Sequence, residues 1–327
     1  MTPPSTSAAP RHWLARLLPG LFAIPLGLLG LAGAWQRLVP LGITMGNPLS
    51  LWLTGGALAI LVLLACLWMA KLIAYPAIVR AEWQHPVQGP LLALLPVAVL
   101  LAVTLLAPAF SALAMLWLGL TLAALAMQAV AAWQVVGKLS TGQIPEAMVT
   151  PAFYLPTVAG GLVGALALNA QGMAGWAALL FGMGLGAWGL LEIRILNRLF
   201  SGPLPAPLRP LIGLEMAPAA IGGMAAASLW PELPADVLMV FLGVASGPTL
   251  AILTRWRYWS EISFAPGFWS FSFPVAAMAS VAVEGVRRGD WPDTVALTAV
   301  GIASLVIAYL AVRTLLLLAR GRLLPPA

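Results

Sequence analysis

Ten apolar runs, each long enough to cross a bilayer, follow one another along this chain and leave little room for anything else. They fall at about 17–36, 51–75, 90–107, 109–136, 151–169, 173–197, 210–229, 236–254, 264–284 and 294–318. A helix takes about 20 apolar residues to cross the hydrocarbon core. In lipid every backbone N–H and C=O must be satisfied by the protein itself, so only helices and closed barrels span. Barrel strands alternate apolar and polar residues over roughly ten positions, whereas these runs are unbroken. The chain therefore reads as an all-α polytopic membrane protein of ten transmembrane helices. Composition agrees, because 61% of the 327 residues are hydrophobic and 8% charged, against roughly 25% charged in soluble domains. No water-facing surface for a globular enzyme or a nucleic-acid-binding domain can be assembled from it.

The net charge of +6 then reads as a topology signal rather than a nucleic-acid footprint, since cytoplasmic loops of membrane proteins are rich in Lys and Arg. Thirteen of the sixteen basic residues fall on the side of the N-terminus, among them Arg11, Arg16, Lys71, Arg80, Lys138, Arg198, Arg209, Arg255 and Arg257. Only Arg37, Arg287 and Arg288 fall on the other, together with the acids Glu232, Asp236, Asp290 and Asp293. Both termini are expected in the cytoplasm, as an even number of spans requires. The basic stretch before the first run mimics a secretory signal, but Leu17–Trp35 is longer than a signal core and lacks a clear A-x-A site. It is expected as a retained span. The expected organisation is a cytoplasmic tail over 1–16, a ten-helix domain over 17–318 and a cytoplasmic tail over 319–327.

Reaction chemistry has little to stand on. Cys66 is the one cysteine and His12 and His85 are the only histidines, so there is no disulfide, no thiol pair and no metal-ligand cluster. Hydrolytic or redox work needs a constellation such as His with carboxylates or paired thiols. These residues and Glu215 are too scattered for one, and the chain is read as no enzyme, with no cofactor and no metal. The string GLGAWG (Gly184–Gly189) fits G-x-G-x-x-G, but it lies inside a membrane run with no strand before it. Like Gly160 and Gly164, it reads as a surface for close helix packing.

Proline is placed with a pattern. Spans 1, 3, 5, 7 and 9 each carry one well inside: Pro25, Pro96, Pro156, Pro218 and Pro274, separated by 56 to 71 residues, about one hairpin each. Proline removes a backbone donor and frees the carbonyl four residues back, and lipid depth tolerates this only where protein or water satisfies the freed group. Five kinked helices inside and five straighter ones outside is the economical arrangement, and five helices in a ring leave space along their axis. The carbonyls of Leu21, Leu92, Ala152, Leu214 and Ser270 would repel anions if they faced that space.

At these prolines the chain resembles the tellurite-resistance TehA family, the group that also contains plant guard-cell slow anion channels and fungal malate and sulfite exporters. The likeness runs from Leu18 to about Leu318. It is carried by GLFAIPLGL (Gly20–Leu28), HPVQGPLLALLP (His85–Pro96), PAFYLPTVAG (Pro151–Gly160), MAPAA (Met216–Ala220) and GFWSFSFPVAAMAS (Gly267–Ser280), in order and each on an odd span. The resemblance implies five helical hairpins with quasi-fivefold symmetry, odd-numbered kinked helices lining a central pore, and a homotrimer with one pore per subunit. It also implies a phenylalanine gate halfway across, which falls on Phe273 immediately before Pro274, with Phe271 left as packing. An aromatic ring in a narrow pore blocks hydrated ions by dewetting and sterics.

The expected partners are thus small inorganic or organic anions and the lipid bilayer of a bacterial inner membrane. Arg80, Lys138, Arg198, Arg209, Arg255 and Arg257 would concentrate anions at the cytoplasmic mouth; signalling topology is their plainer role. The function implied is an anion channel for chloride- or nitrate-like ions. The alternative is a carrier or exporter of dicarboxylate, sulfite or tellurite coupled to protons through Glu215. That residue sits three before Pro218, and an ionised carboxylate at mid-membrane costs about 2.5–3.5 kcal/mol. It reads either as a proton or filter site or as a structural residue paired with a basic side chain near the interface.

Overall fold

The computed structural model describes residues 12–289 and 291–325. Arg11, Asp290 and most of the expected N-terminal tail lie outside the described residues. Among the described residues, ten helices are long and apolar enough to cross a membrane: α1 (Pro19–Leu41), α2 (Gly46–Ala74), α3 (Gln88–Leu106), α4 (Ser111–Ser140), α5 (Pro151–Asn169), α6 (Ala174–Phe200), α7 (Ala206–Leu229), α8 (Ala235–Thr254), α9 (Pro266–Arg288) and α10 (Asp293–Ala319). No strand occurs among the described residues. The protein is an all-α polytopic membrane protein.

Inner and outer helices alternate. In the most apolar stretch of α5 and α7, 94% of residues are buried, and 67–78% in α1, α3 and α9; the even helices reach only 17–28%. Side-chain size contributes to this. The most buried odd helices carry small residues, GGLVGALALN in α5 and APAAIGGMAAASL in α7, which let backbones approach closely where lipid supplies no hydrophobic drive between helices. Even helices carry large apolar side chains turned outward, such as Trp52, Trp133 and Leu190. Each odd helix packs on the even helix that follows it. The odd helices also touch in chain order, α1 on α3, α3 on α5, α5 on α7, α7 on α9, and α9 back on α1, so the inner ring closes.

The GLGAWG glycines divide. A Cβ on Gly161 of α5 would lie 2.7 Å from the Gly184 Cα of α6, so these two backbones need both glycines, while Gly186 and Gly189 face open space.

The odd helices are not continuous α-helices, and the even ones nearly are. The first part of α1 (Pro19–Phe22), α5 (Pro151–Phe153), α7 (Ala206–Met216) and α9 (Pro266–Phe271) is 3₁₀ helix. In α3 one turn, Gln88–Leu91, is followed by tight turns at Leu92 and Ala93. Regular α-helix then starts at Ala23, Leu94, Ala217 and Ser272, and in α5 at Gly160 after a π segment over Leu155–Ala159. Each of the five prolines stands in the first turn after the tight segment. A first-turn N–H has no intrahelical partner, so proline loses nothing there. Three of the freed carbonyls, those of Leu21, Ala152 and Leu214, are recaptured by the tightened turns. The Ala23 N–H is shared by Gly20 and Leu21, the Tyr154 N–H by Pro151 and Ala152, and the Ala217 N–H goes to Leu214.

One end of the bundle is tied by polar contacts. Lys71, fully buried in the last turn of α2, donates to the Leu17 carbonyl at 2.6 Å and to Glu82 Oε1 at 2.5 Å. Glu82 belongs to a short helix, Pro76–Gln84, that the apolar pattern did not announce. Arg16 Nη1 donates to the Pro325 carbonyl at 2.8 Å, so the segments before α1 and after α10 meet at this end.

Candidate functional site

Inside the inner ring lies a narrow cavity of about 50 Å³, lined by all five odd helices and by no even one. Its wall is Gly20, Ala23 and Leu26 of α1, Leu91 and Leu94 of α3, Tyr154, Leu155, Val158 and Ala159 of α5, Leu211, Leu214, Ala217, Pro218 and Ile221 of α7, and Pro266, Gly267, Trp269, Ser270, Ser272 and Phe273 of α9. A water takes roughly 10–15 Å³ by such a measure, so the space holds a few waters and is no open conduit. No charged side chain lines it. The two serine hydroxyls are turned to backbone, Ser270 to the Pro210 carbonyl and Ser272 to the Trp269 carbonyl at 2.7 Å.

Phe273 is the last α9 residue on this wall and is only 5% exposed. Its seat is made by a missing side chain. A Cβ on Gly30 of α1 would stand 2.8 Å from Phe273 Cδ2 and 3.1 Å from the Ala276 Cβ. Phe271 turns the other way, its ring centroid 5.0 Å from that of Trp259 and 6.5 Å from that of Phe268. Of the five prolines Pro218 lines the cavity, while Pro25, Pro96, Pro156 and Pro274 stand at the same junctions off its wall.

The junctions between tight and regular helix border this space. The α segments of α1, α3, α7 and α9 begin at Ala23, Leu94, Ala217 and Ser272, all wall residues, and that of α5 begins one residue after Ala159.

The six cationic residues expected to concentrate anions at the cytoplasmic mouth separate into two kinds. Arg198, 5% exposed, donates to the carbonyls of Glu146, Gly202 and Pro203. Lys138 donates to the Gln84 carbonyl at 2.8 Å. Arg209 is engaged with Glu261 Oε2 at 3.2 Å and lies 4.5 Å from the Tyr258 ring centroid, so its charge is compensated. Arg80, Arg255 and Arg257 are exposed. None of the six touches the cavity wall.

Glu215 has no basic partner among the described residues. It is 8% exposed and accepts from the Tyr154 O–H at 3.3 Å; the same hydroxyl is 2.6 Å from Glu192 Oε2, which also accepts from Trp188 Nε1 at 2.7 Å. One phenol proton serves two carboxylates, and Glu215 Oε1 is buried without a partner. Glu215 and Glu192 face a second cavity of about 550 Å³ between α6, α7 and α8, with Pro248 and Arg255 on its wall. Tyr154 lies between the two spaces. Neither Tyr154 nor Gly30 stood out in the sequence, although Tyr154 falls inside PAFYLPTVAG.

A ten-helix membrane-spanning body whose inner helices enclose an uncharged cavity defines a protein of channel or transporter type. Residues 16–315 match the model of the voltage-dependent anion channel family, SLAC1, and the chain belongs to that family. It is 28% identical over 309 residues to a tellurite resistance protein TehA homolog of Haemophilus influenzae, covering 93% of this chain and 91% of that one. It is 23% identical over 321 residues to the S-type anion channel SLAH3 of Arabidopsis thaliana, covering 93% of this chain and 49% of the plant protein. The family is of channel and transporter type rather than enzymatic, and its membership supports an anion channel or transporter in a membrane.

Proposed function

We propose that the protein is an anion channel that passes small anions such as chloride or nitrate along the axis of the inner ring, with Phe273 as its gate. The observation that carries this is an uncharged cavity walled by all five inner helices, with that ring at one end. An uncharged wall holds an anion only weakly, and weak binding is what conduction requires, because an ion held too well does not leave. The recaptured carbonyls of Leu21, Ala152 and Leu214 remove part of the opposing field. Uncompensated charge at Arg80, Lys138, Arg198, Arg255 and Arg257 raises the anion concentration at the mouth. The five hairpins stand about a quasi-fivefold axis, three subunits assemble as a homotrimer with one pathway each, and the membrane is the bacterial inner membrane with both termini cytoplasmic.

Phe273→Ala tests the gate. A barrier lowered by about 1.4 kcal/mol multiplies flux about tenfold, so anion current in planar bilayers should rise by at least that order. Unchanged current from protein verified in the membrane sinks the gate assignment.

A second mechanism, favoured by the shared Tyr154 proton and the unpartnered Glu215 oxygen, is a proton-coupled carrier of dicarboxylate, sulfite or tellurite. It predicts saturable uptake into liposomes whose pH dependence disappears in Glu215→Gln. Flux linear in anion concentration and free of proton movement excludes it.

A further inference from the structure

The cavity accounts for one half of the inner helices; their other ends hold a charged cluster that it leaves unused. Eleven residues are three turns of α-helix, about 16.5 Å, and return to within about 20° of the same face. Stepping eleven residues along α1 from Leu26 of the cavity wall reaches Arg37, and along α9 from Phe273 reaches Glu284. The same step along α7 from Ala217 reaches Ser228, whose carbonyl accepts from Asn169 of α5 at 2.9 Å. Between Leu26 and Arg37 the two α1 residues nearest this line are Gly30 and Gly33, neither of which carries a side chain, with Leu29 and Ala34 flanking them. The Arg37 side chain folds back over Gly33, Nη1 donating to its carbonyl at 3.0 Å, and so leans toward the gate.

Arg37, Arg287 and Arg288 are the three basic residues on this poorer side, and all three converge on one carboxylate. Glu284 Oε2 accepts from Arg287 Nε at 3.1 Å and Nη2 at 2.6 Å, and from Arg288 Nε at 3.2 Å. Its Oε1 lies 3.6 Å from Arg37 Nε, an ion contact without a hydrogen bond. The other ion pairs of the described residues, Lys71–Glu82, Arg194–Glu146 and Arg209–Glu261, are one to one. Here, among the described residues, three guanidiniums face one carboxylate, a local surplus of two positive charges. Arg288 is anchored further by the carbonyls of Ala227, Trp230 and Leu233. Arg37 is the loose arm. The side chains of Arg37, Arg288 and Glu284 are 20%, 9% and 12% exposed, which limits screening by solvent.

We propose that this cluster is an anion-binding station at the end of the pathway opposite the tied N-terminal end. The Glu284 carboxylate is its tethered occupant, and Arg37 is the arm that releases it in exchange for a small planar oxyanion. The carboxylate itself is the template for the ligand: two oxygens on a planar centre, met by planar guanidinium forks that suit that shape. The station rests on the axial pathway for its role in transport, but its ligand binding can be measured apart from any current.

The test is thermal melting of the purified protein against nitrate, at constant ionic strength with a bulky organic anion as replacement. Removing the tethered competitor in Glu284→Gln should give saturable stabilisation at roughly tenfold lower nitrate than the wild type needs. Adding Arg37→Gln should abolish it. If Glu284→Gln does not fold, Arg37→Gln alone decides, since it should lose the weaker response of the wild type. A nitrate response equal in wild type and Glu284→Gln, or one that survives the loss of Arg37, overturns the station. Failure of Phe273→Ala to conduct while the nitrate response behaves as expected would sink the channel and leave the station standing.

Discussion

Phe273 and Gly30 form one device made from two helices. The ring fills the place of a side chain that Gly30 does not have, and a Cβ there would come within 2.8 Å of it. Overpacking of this kind costs about 1–3 kcal/mol, and the ring can escape only by leaving its seat. Gly30→Ala should therefore raise leak current in the otherwise unaltered protein, by less than Phe273→Ala does. On top of Phe273→Ala it should change nothing further, because residues in contact are not additive. Current recorded across this double-mutant cycle checks the coupling, and additive effects of the two changes would refute it. The pair also shows what a sequence conceals at this scale. Phe273 is legible through the string WSFSFP, whereas Gly30 is one of many small residues on α1, and its partner is set by how α1 and α9 cross. Tyr154 is hidden for the same reason, because Glu192 and Glu215 lie 38 and 61 residues away and meet its hydroxyl only after three helices have packed. Arg37 and Glu284, 247 positions apart in the chain, are a further case.

At the level of elements, the spans are readable to within five residues, since insertion into lipid depends on apolar length and the runs are uninterrupted. Every helix end falls within five residues of its run. The 3₁₀ halves were not readable, because hydropathy does not distinguish i→i+3 from i→i+4 bonding, and the prolines alone read as kinks in continuous helices. The structure places four of them in the first turns of α segments and Pro156 in the π segment of α5 instead. The beginning of α3 depends on a residue outside the membrane. His85 Nδ1 accepts from the N–H groups of Val87 at 3.1 Å and Gln88 at 3.2 Å, capping the helix that supplies Leu91 and Leu94 to the cavity wall. Only a neutral imidazole nitrogen can accept. Burial first, and the charge of Lys138 second, hold this imidazole below its ordinary pKa of 6.5. The folded form therefore binds the proton less readily than the unfolded chain, and stability is fully present above pH 6.5 and declines as pH falls through the lower folded value. Thermal melting between about pH 8 and pH 5 should show that decline. His85→Asn keeps an acceptor without titrating and should flatten it, while His85→Ala should cost about 1 kcal/mol even at the alkaline end. A wild-type profile that stays level, or one that His85→Asn leaves unchanged, would show that the cap does not govern it.

For the whole molecule, the direction of the inner helices decides which membrane face meets which part of the pathway. The 3₁₀ halves, the five α starts and the cavity lie toward the end where Arg16 meets Pro325; the Glu284 cluster lies toward the other. By the positive-inside rule the excess of Lys and Arg at the first end predicts a cytoplasmic position for it. On the proposed pathway anions would then enter from the cytoplasm into the uncharged cavity, pass Phe273, and leave past Arg37. A polarity reversed in the membrane would exchange the two roles. Cysteine labelling separates these outcomes once Cys66, which is exposed on α2, is replaced by serine. Ser201, exposed between α6 and α7, and Trp291, 48% exposed between α9 and α10, stand at opposite ends. In intact cells a membrane-impermeant maleimide should react with Trp291→Cys and not with Ser201→Cys, which should label only after the membrane is breached. The opposite pattern would place the cavity of the inner ring at the outer face, and the Glu284 cluster would then meet the cytoplasmic anion pool before the gate does.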